Sequence, residues 1–299
     1  VGADHVAYAA MLEEIAAGCG GISTAVSGHN SVGCLPIIQY GNEDQQDLYL
    51  PALASGEILS CFCLTEPHAG SDASTLKTTA KRRNGHYILN GTKQFVTTGK
   101  NADIALVFAR TGPDTGKHGI SAFVVPTDNP GYIVARVEKK LGQRASDTCQ
   151  IVLENVEVPE ENRLAEEGAG YRIALANLES GRIGIASQAV GMARSAYEIA
   201  LTYAQERESM GKPIFEHQAV GFRLADMATE IEAARQLVWH AAALRDAGQP
   251  CLIEASMAKV AASEMAEKVC SNAIQTLGGY GYLEDHPLER IYRDVRVCK

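Results

Sequence analysis

The chain has 299 residues, 46% of them hydrophobic and 21% charged, enough to bury a sizeable core in one or two domains. Its formal net charge of -9, with basic residues scattered, argues against a nucleic-acid or anionic-membrane partner. No apolar run reaches the roughly 18 residues of a membrane span; the 8 cysteines and 8 histidines show neither a CxxC pair nor a metal-ligand spacing, so reduced, buried thiols are expected and a metal centre is not.

From about Asp4 to Ser55 the pattern is helical. Val6, Ala9, Ala10 and Leu12 share an apolar face, and a second helix is expected after Asn42 over EDQQDLYLPALAS. The first helix carries acids within its apolar pattern and has no basic start, so it does not read as a signal peptide. From about Ile58 to Val158 the signal turns to β: HYILNGTKQFVTT, ADIALVFAR, ISAFVVP and CQIVLENVEV are short, β-branched and punctuated by Gly, Pro and Asn. Within the first of these, Gly91–Lys93 lacks the spacing of a phosphate loop and predicts a hairpin turn. Beyond Gly170 the chain is helical again, over roughly Tyr171–Arg207, Glu216–Ala247, Cys251–Leu277 and Pro287–Val297. Ala-rich helices of this length pack as antiparallel bundles.

The order helix, β, helix predicts an α+β multidomain chain, not alternating βαβ units. The expected parts are an N-terminal helical domain (1–57), a middle β-barrel or sandwich domain (58–160) and a C-terminal antiparallel four-helix bundle (161–299). Gly278-Gly279-Tyr280-Gly281 follows a helix and lacks the third spaced glycine, so it is not a dinucleotide fingerprint. Both ends read as cut: Val1 stands just before a helical pattern, and Lys299 closes one, LERIYRDVRVC, that has no cap.

Two stretches carry the chemistry. In Cys61–Asp72, CFCLTEPHAGSD, an apolar run stops at a turn containing Pro67 and Gly70 and then offers Thr65, Ser71 and backbone amides, with only Glu66 and Asp72 charged. That suits a large, planar, polar-edged cofactor better than a metal or free phosphate. In Gly91–Gly99, a second apolar strand supplies the aromatic Phe95 and the hydroxyls of Thr97 and Thr98.

With LGQRASDTCQIVLENVEVP, LESGRIGIASQAVG and QTLGGYGYLEDHPLERIYRD following in order, these stretches resemble the acyl-CoA dehydrogenase family over nearly the whole chain, nearest its short-chain and short-branched-chain members. The resemblance implies bound FAD. It places Phe62, Cys63, Leu64 and Thr65 beside the flavin pyrimidine edge, where backbone groups and the Thr65 hydroxyl hydrogen-bond the ring, and it counts Gly70 and Ser71 among the FAD contacts. Ser71 would also touch the acyl-CoA. Phe95, Val96 and Thr97 match the second flavin strand, with Thr97 near N5 and Phe95 where many members have Trp. Arg207, Gln218, Gln275, Gly278 and Gly279 match residues that hold the FAD of a neighbouring subunit, Arg207 facing the pyrophosphate. The implied assembly is a homo-oligomer, a dimer of dimers, with the FAD site shared between subunits.

The reaction so implied removes the α proton and β hydride of an acyl-CoA, with electrons passing to an electron-transfer flavoprotein. The base would be a glutamate shortly after Tyr292–Asp294, beyond Lys299, so no catalytic residue is assigned within the chain. The alternative position used by some members is Gly181 here, which offers no carboxylate. Glu179 is a weak candidate, because two residues along a helix turn about 200°. Glu179 and Arg182 match contacts to the CoA portion. Glu66 is expected to fix its loop; Glu284, Asp285, Glu289 and Asp294 are expected at helix ends and in ion pairs; His68 and His217 are expected to be structural. Competing readings are an acyl-CoA oxidase-like flavoenzyme and a non-catalytic assembly or scaffold protein. The expected compartment is bacterial cytoplasm or mitochondrial matrix.

Overall fold

In the computed structural model, which describes residues 3–112 and 116–299, the chain forms two compact units. One contains residues up to Thr24, Lys140–Ala145 and Arg182–Lys299; the other contains Ala25–Lys139 and Ser146–Gly181.

The N-terminal helices are α1 (His5–Gly18), α2 (Gly20–Gly28), α3 (Leu35–Tyr40) and α4 (Glu43–Ser55), with one π-helical segment, His29–Cys34, between α2 and α3. Asp4 starts α1 by accepting from the Ala7 N–H at 2.7 Å. Asn42 and Gln45 form a reciprocal capping box at the start of α4, and Gly56, at φ 75°, closes that helix in the left-handed conformation glycine adopts without penalty.

The β unit is built on β1 (Ser60–Cys63), β2 (Thr79–Arg83), β3 (His86–Thr97), β4 (Ile104–Arg110), β5 (Ile120–Pro126), β6 (Tyr132–Val137), β7 (Thr148–Pro159) and β8 (Arg163–Leu164). They form one sheet in the order β6-β7-β3-β2-β4-β5-β8, and β1 runs parallel to β4. β4 is apolar at nearly every position because both its faces are covered. Ala105, Val107 and Ala109 enter one core with Cys63 and Val96, while Ile104, Leu106 and Phe108 enter another with Ile37, Leu53 and Leu64.

Gly91–Lys93 is not the expected hairpin turn. It lies inside β3 and pairs with Leu153, Val152 and Ile151 of β7. The glycine serves close approach: a Cβ there would stand 2.7 Å from the Thr78 Cα. The β3–β7 register shifts twice, between Leu89 and Gly91 and between Lys93 and Val96.

The helical unit takes most of α5 (Gly170–Glu206), the short hairpin of β9 (Glu208–Ser209) and β10 (Lys212–Pro213), α6 (Gln218–Asp246), α7 (Leu252–Leu277) and α8 (Leu288–Val295). The expected last helix stops at Val295 and continues as a 3-10 turn over Arg296–Cys298. Small residues dominate its core, among them Ala189, Ala193 and Ala196 of α5 and Ala258, Ala262 and Ala266 of α7. Such residues let helix axes approach closely. At Gly191 a Cβ would collide with the Glu13 carbonyl, so α1 and α5 touch backbone to backbone. Asp294, expected at a helix end or in an ion pair, stands in the last turn of α8, where it is buried and accepts from the Gln143 N–H. Seven of the eight cysteines are buried and Cys19 is half-buried; all are free thiols.

Candidate active site

In the β unit, β1 ends at Cys63 and the chain turns through Glu66–Ala69, whose backbones exchange two hydrogen bonds of 3.0 Å. The Cys63 and Leu64 side chains are buried in opposite cores. These two predicted residues therefore offer a cofactor only their backbones. Thr65 is half-buried and Gly70 and Ser71 are exposed, so hydroxyls and amides gather on the open side of the turn.

A buried pair fixes that turn from beneath. Lys93 of β3 is 0% exposed, and its ammonium donates to the Glu66 carboxylate at 2.8 Å, the Phe108 carbonyl at 2.7 Å and the Leu64 carbonyl at 3.2 Å. Glu66 also accepts from the Lys77 N–H at 2.6 Å and the Thr78 N–H at 3.0 Å. Burial alone would raise the Glu66 pKa, but the Lys93 charge and these donors hold it below the ordinary range. Glu66 does fix its loop, as expected. Lys93 carried no signal in the sequence, since lysine in a strand reads as a solvent-facing residue.

The end of β3 presents Phe95, Val96 and Thr97. Phe95 is 66% exposed and sits at φ 58°, while Val96 is buried beneath it. A left-handed backbone at a bulky aromatic costs about 1–2 kcal/mol, and an aromatic held out into open space at that cost suits a partner outside the chain. The following turn is held by several bonds, among them those of the Lys100 N–H and the Asn101 side chain to the Asp147 carboxylate. The Thr98 N–H donates to the Asp147 carbonyl at 3.1 Å, and the Tyr132 hydroxyl donates to the Gly99 carbonyl at 2.9 Å. Burial, and then the thiols of Cys63, Cys61 and Cys149, push the Tyr132 phenol up, so it stays protonated and remains the donor.

In the helical unit, a groove of about 600 Å³ opens beside the end of α7. Arg207, Gln275, Gly278 and Gly279 line it together, so four of the five residues predicted for one half of the cofactor converge. Gln218 does not; it is exposed at the first position of α6, outside the lining. Gly278 sits at φ 59°, ψ -132°, a conformation that requires glycine. At Gly279 a Cβ would meet nothing within 4 Å, so the chain's own packing does not demand glycine there, and bare backbone faces the groove. Tyr203 and Tyr280, for which the sequence carries no site signal, add an aromatic wall, their ring centroids 6.3 Å apart. An arginine, a carboxamide, bare backbone and aromatic faces together fit a nucleotide-bearing anionic cofactor such as FAD.

Glu179 and Arg182 lie on α5, three residues apart. At Gly181 a Cβ would also meet nothing within 4 Å.

The family models for the N-terminal, middle and C-terminal domains of acyl-CoA dehydrogenase match residues 1–57, 61–156 and 168–299. An acyl-CoA dehydrogenase of Bacillus subtilis (strain 168) is 51% identical over 298 residues, covering 100% of this chain and 79% of that protein. The human mitochondrial short-chain specific acyl-CoA dehydrogenase is 43% identical, covering 100% of this chain and 72% of that protein. The Caffeyl-CoA reductase-Etf complex subunit CarC of Acetobacterium woodii is 43% identical over 99% of this chain and 78% of its own length. Among solved structures, butyryl-CoA dehydrogenase from Megasphaera elsdenii superposes with a TM-score of 0.98 at 42% identity, over 99% of this chain and 78% of that one. With three domain matches in order and half its residues shared with one relative, the chain belongs to the acyl-CoA dehydrogenase family of FAD-dependent oxidoreductases.

Proposed function

We propose that this protein oxidises a short-chain or branched short-chain acyl-CoA thioester to the 2-enoyl-CoA and passes electrons to an electron-transfer flavoprotein. The observation that carries this reading is the groove in which Arg207, Gln275, Gly278 and Gly279 converge. The kinship with short-chain specific dehydrogenases supports the substrate class, and kinship with a subunit of an Etf complex supports the acceptor.

When bound, FAD supplies the acceptor for the substrate's β hydride at N5. The chain's residues divide the remaining work. The backbone at Phe62–Thr65 and the Thr65 hydroxyl donate to the pyrimidine edge, where negative charge collects on reduction. Gly70 leaves the turn open, and Ser71 binds FAD and the acyl-CoA. Phe95 would offer the ring an apolar face, with Val96 packed in the core behind it and contributing its backbone, and Thr97 would lie toward the N5 edge. Arg207 pairs with pyrophosphate while Gln218, Gln275, Gly278 and Gly279 seat the rest of the cofactor of a neighbouring subunit. Glu179 and Arg182 hold the CoA portion.

A homotetramer built as a dimer of dimers follows from that shared site. Ile253, Met257 and Val260 leave an exposed apolar stripe on α7, a face that another subunit would cover. No helix among the described residues is long and apolar enough to cross a membrane. We assign the protein to the bacterial cytoplasm or the mitochondrial matrix, the compartments that relatives from both sources support.

The test is anaerobic addition of butyryl-CoA to the purified full-length protein. Bleaching of the visible flavin absorption, followed by reoxidation on adding electron-transfer flavoprotein, is the expected result. A colourless protein that never bleaches overturns the reading in favour of a scaffold. Steady hydrogen peroxide release without an added acceptor overturns it in favour of an oxidase.

A further inference from the structure

Lys93 is the one large charged side chain among the most deeply buried side chains of the described residues. A buried ion pair is poor evidence of stability, since apolar replacements of similar volume are often neutral or better. Its partners point to another use. The Lys93 ammonium donates to the Leu64 carbonyl at 3.2 Å, and the next residue, Gln94, donates its backbone N–H to the Thr65 carbonyl at 2.8 Å. Two consecutive residues of β3 thus grip two consecutive carbonyls just past the end of β1. The same strand then delivers Phe95 and Thr97 two and four residues after Lys93. One side chain therefore ties together the two segments assigned to the flavin.

We propose that Lys93 is a positioning residue that sets both the place and the donor strength of the Leu64–Thr65 peptide at the flavin pyrimidine edge. This rests on the reading above that the end of β1 binds flavin. The physical link is the peptide group itself. A cation donating to the Leu64 carbonyl pulls electron density toward that oxygen and leaves the Thr65 N–H of the same peptide more positive. Chained hydrogen bonds strengthen one another in this way, most of all where the dielectric is low. A stronger donor at the pyrimidine edge favours the reduced cofactor, on which negative charge has collected, over the oxidised one. Glu66 supplies the countercharge that keeps the ammonium buried, and its own bonds to the Lys77 and Thr78 amides fix the far side of the turn.

The experiment compares full-length wild-type holoenzyme with the double variant Lys93→Met/Glu66→Gln. The double change leaves no unpaired buried charge and nearly conserves volume. Flavin content and midpoint potential are measured by anaerobic spectroelectrochemistry. The expected result is a folded, flavin-loaded variant whose preference for reduced over oxidised FAD has fallen about tenfold, a potential ~30 mV more negative for this two-electron couple. An unchanged potential in a flavin-loaded variant overturns the proposal and leaves Lys93 a packing residue. Should that variant not fold, Lys93→Gln/Glu66→Gln keeps one donor, and a smaller shift of the same sign is expected; no shift again overturns it. A wild-type protein that takes up no FAD fails the flavin reading itself, whereas a loaded wild type with an unshifted variant fails only the role of Lys93.

Discussion

The Gln143 backbone N–H donates to the Asp294 carboxylate inside the helical unit, and the Gln143 side-chain amide also donates, to the Asp294 carbonyl at 3.3 Å. The partners are 151 residues apart in sequence, so this two-bond clasp fixes the Lys140–Ala145 segment against α8. Gly142 completes the contact, because a Cβ there would strike the Arg293 carbonyl. Replacing Asp294 by Ala strands a buried amide and should lower stability by about 1–3 kcal/mol. Asp294→Asn keeps an acceptor and should lose less. Urea denaturation of both variants checks the order; equal losses would show that the acceptor is irrelevant.

Phe95→Gly should separate stability from cofactor binding. Relief of the left-handed backbone is worth about 1–2 kcal/mol, against roughly 0.5–1 kcal/mol lost to glycine's freedom in the unfolded chain. The exposed ring has little packing to lose, so the apoprotein should be unchanged or slightly more stable. FAD should bind about fivefold more weakly without the aromatic face, a loss of ~1 kcal/mol. Thermal melting of apoprotein and flavin titration read the two effects separately.

Arg207→Ala removes an exposed side chain from the wall of the groove. The fold should tolerate it, while FAD affinity should fall by about 10- to 100-fold, as expected for a charge-assisted hydrogen bond of roughly 1.5–3 kcal/mol. Arg207→Lys should recover only part of this, since an ammonium cannot make the forked contact. Flavin retained after gel filtration gives the ranking, and full retention in the alanine variant would remove Arg207 from the site.

Glu66 sets a pH dependence with a definite sign. Its folded pKa lies below the ordinary 4.5, so between those two values the unfolded chain binds more protons than the folded one. Stability from this carboxylate is fully present above 4.5 and drains away as the pH falls through the lowered folded value. For Lys93, burial pulls the folded pKa below its ordinary 10.5, so between that lowered value and 10.5 the unfolded chain binds more protons and stability rises with pH. Glu66→Gln should therefore be less stable at neutral pH, with a shallower loss of melting temperature on acidification. Parallel slopes for variant and wild type would show that the buried pair does not govern acid sensitivity.

Much of this architecture is legible in the residues themselves. The Asn42 cap places α4, and the unbroken apolar run of β4 reports a strand covered on both faces. What misled was Gly91: a Gly flanked by Asn90 and Thr92 looks like a turn, and only the neighbouring Thr78 explains it as a close approach within a strand. Lys93 was invisible for a related reason. Its burial depends on three acceptors, two from the segment after β1 (Leu64 and Glu66) and one from β4 (Phe108), none of which is local in sequence. Arg207, Gln275 and the Gly278–Gly279 pair were found through resemblance, not pattern, because a groove formed by separated segments leaves no periodic trace.

The register shift between Lys93 and Val96 has a consequence for how this protein can be altered. Inward-facing positions in β3 fall on odd numbers at Tyr87, Leu89 and Lys93, then move to even at Val96. The odd-numbered Phe95 is thereby turned outward. Side chains in these few residues can be exchanged one at a time, but their number cannot. Deleting a single residue there would restore strict alternation, with Val96 still inward, but it would erase the bulge and move Phe95 and the strand end after it one residue along β7, so chain length is a guarded property of this strand end.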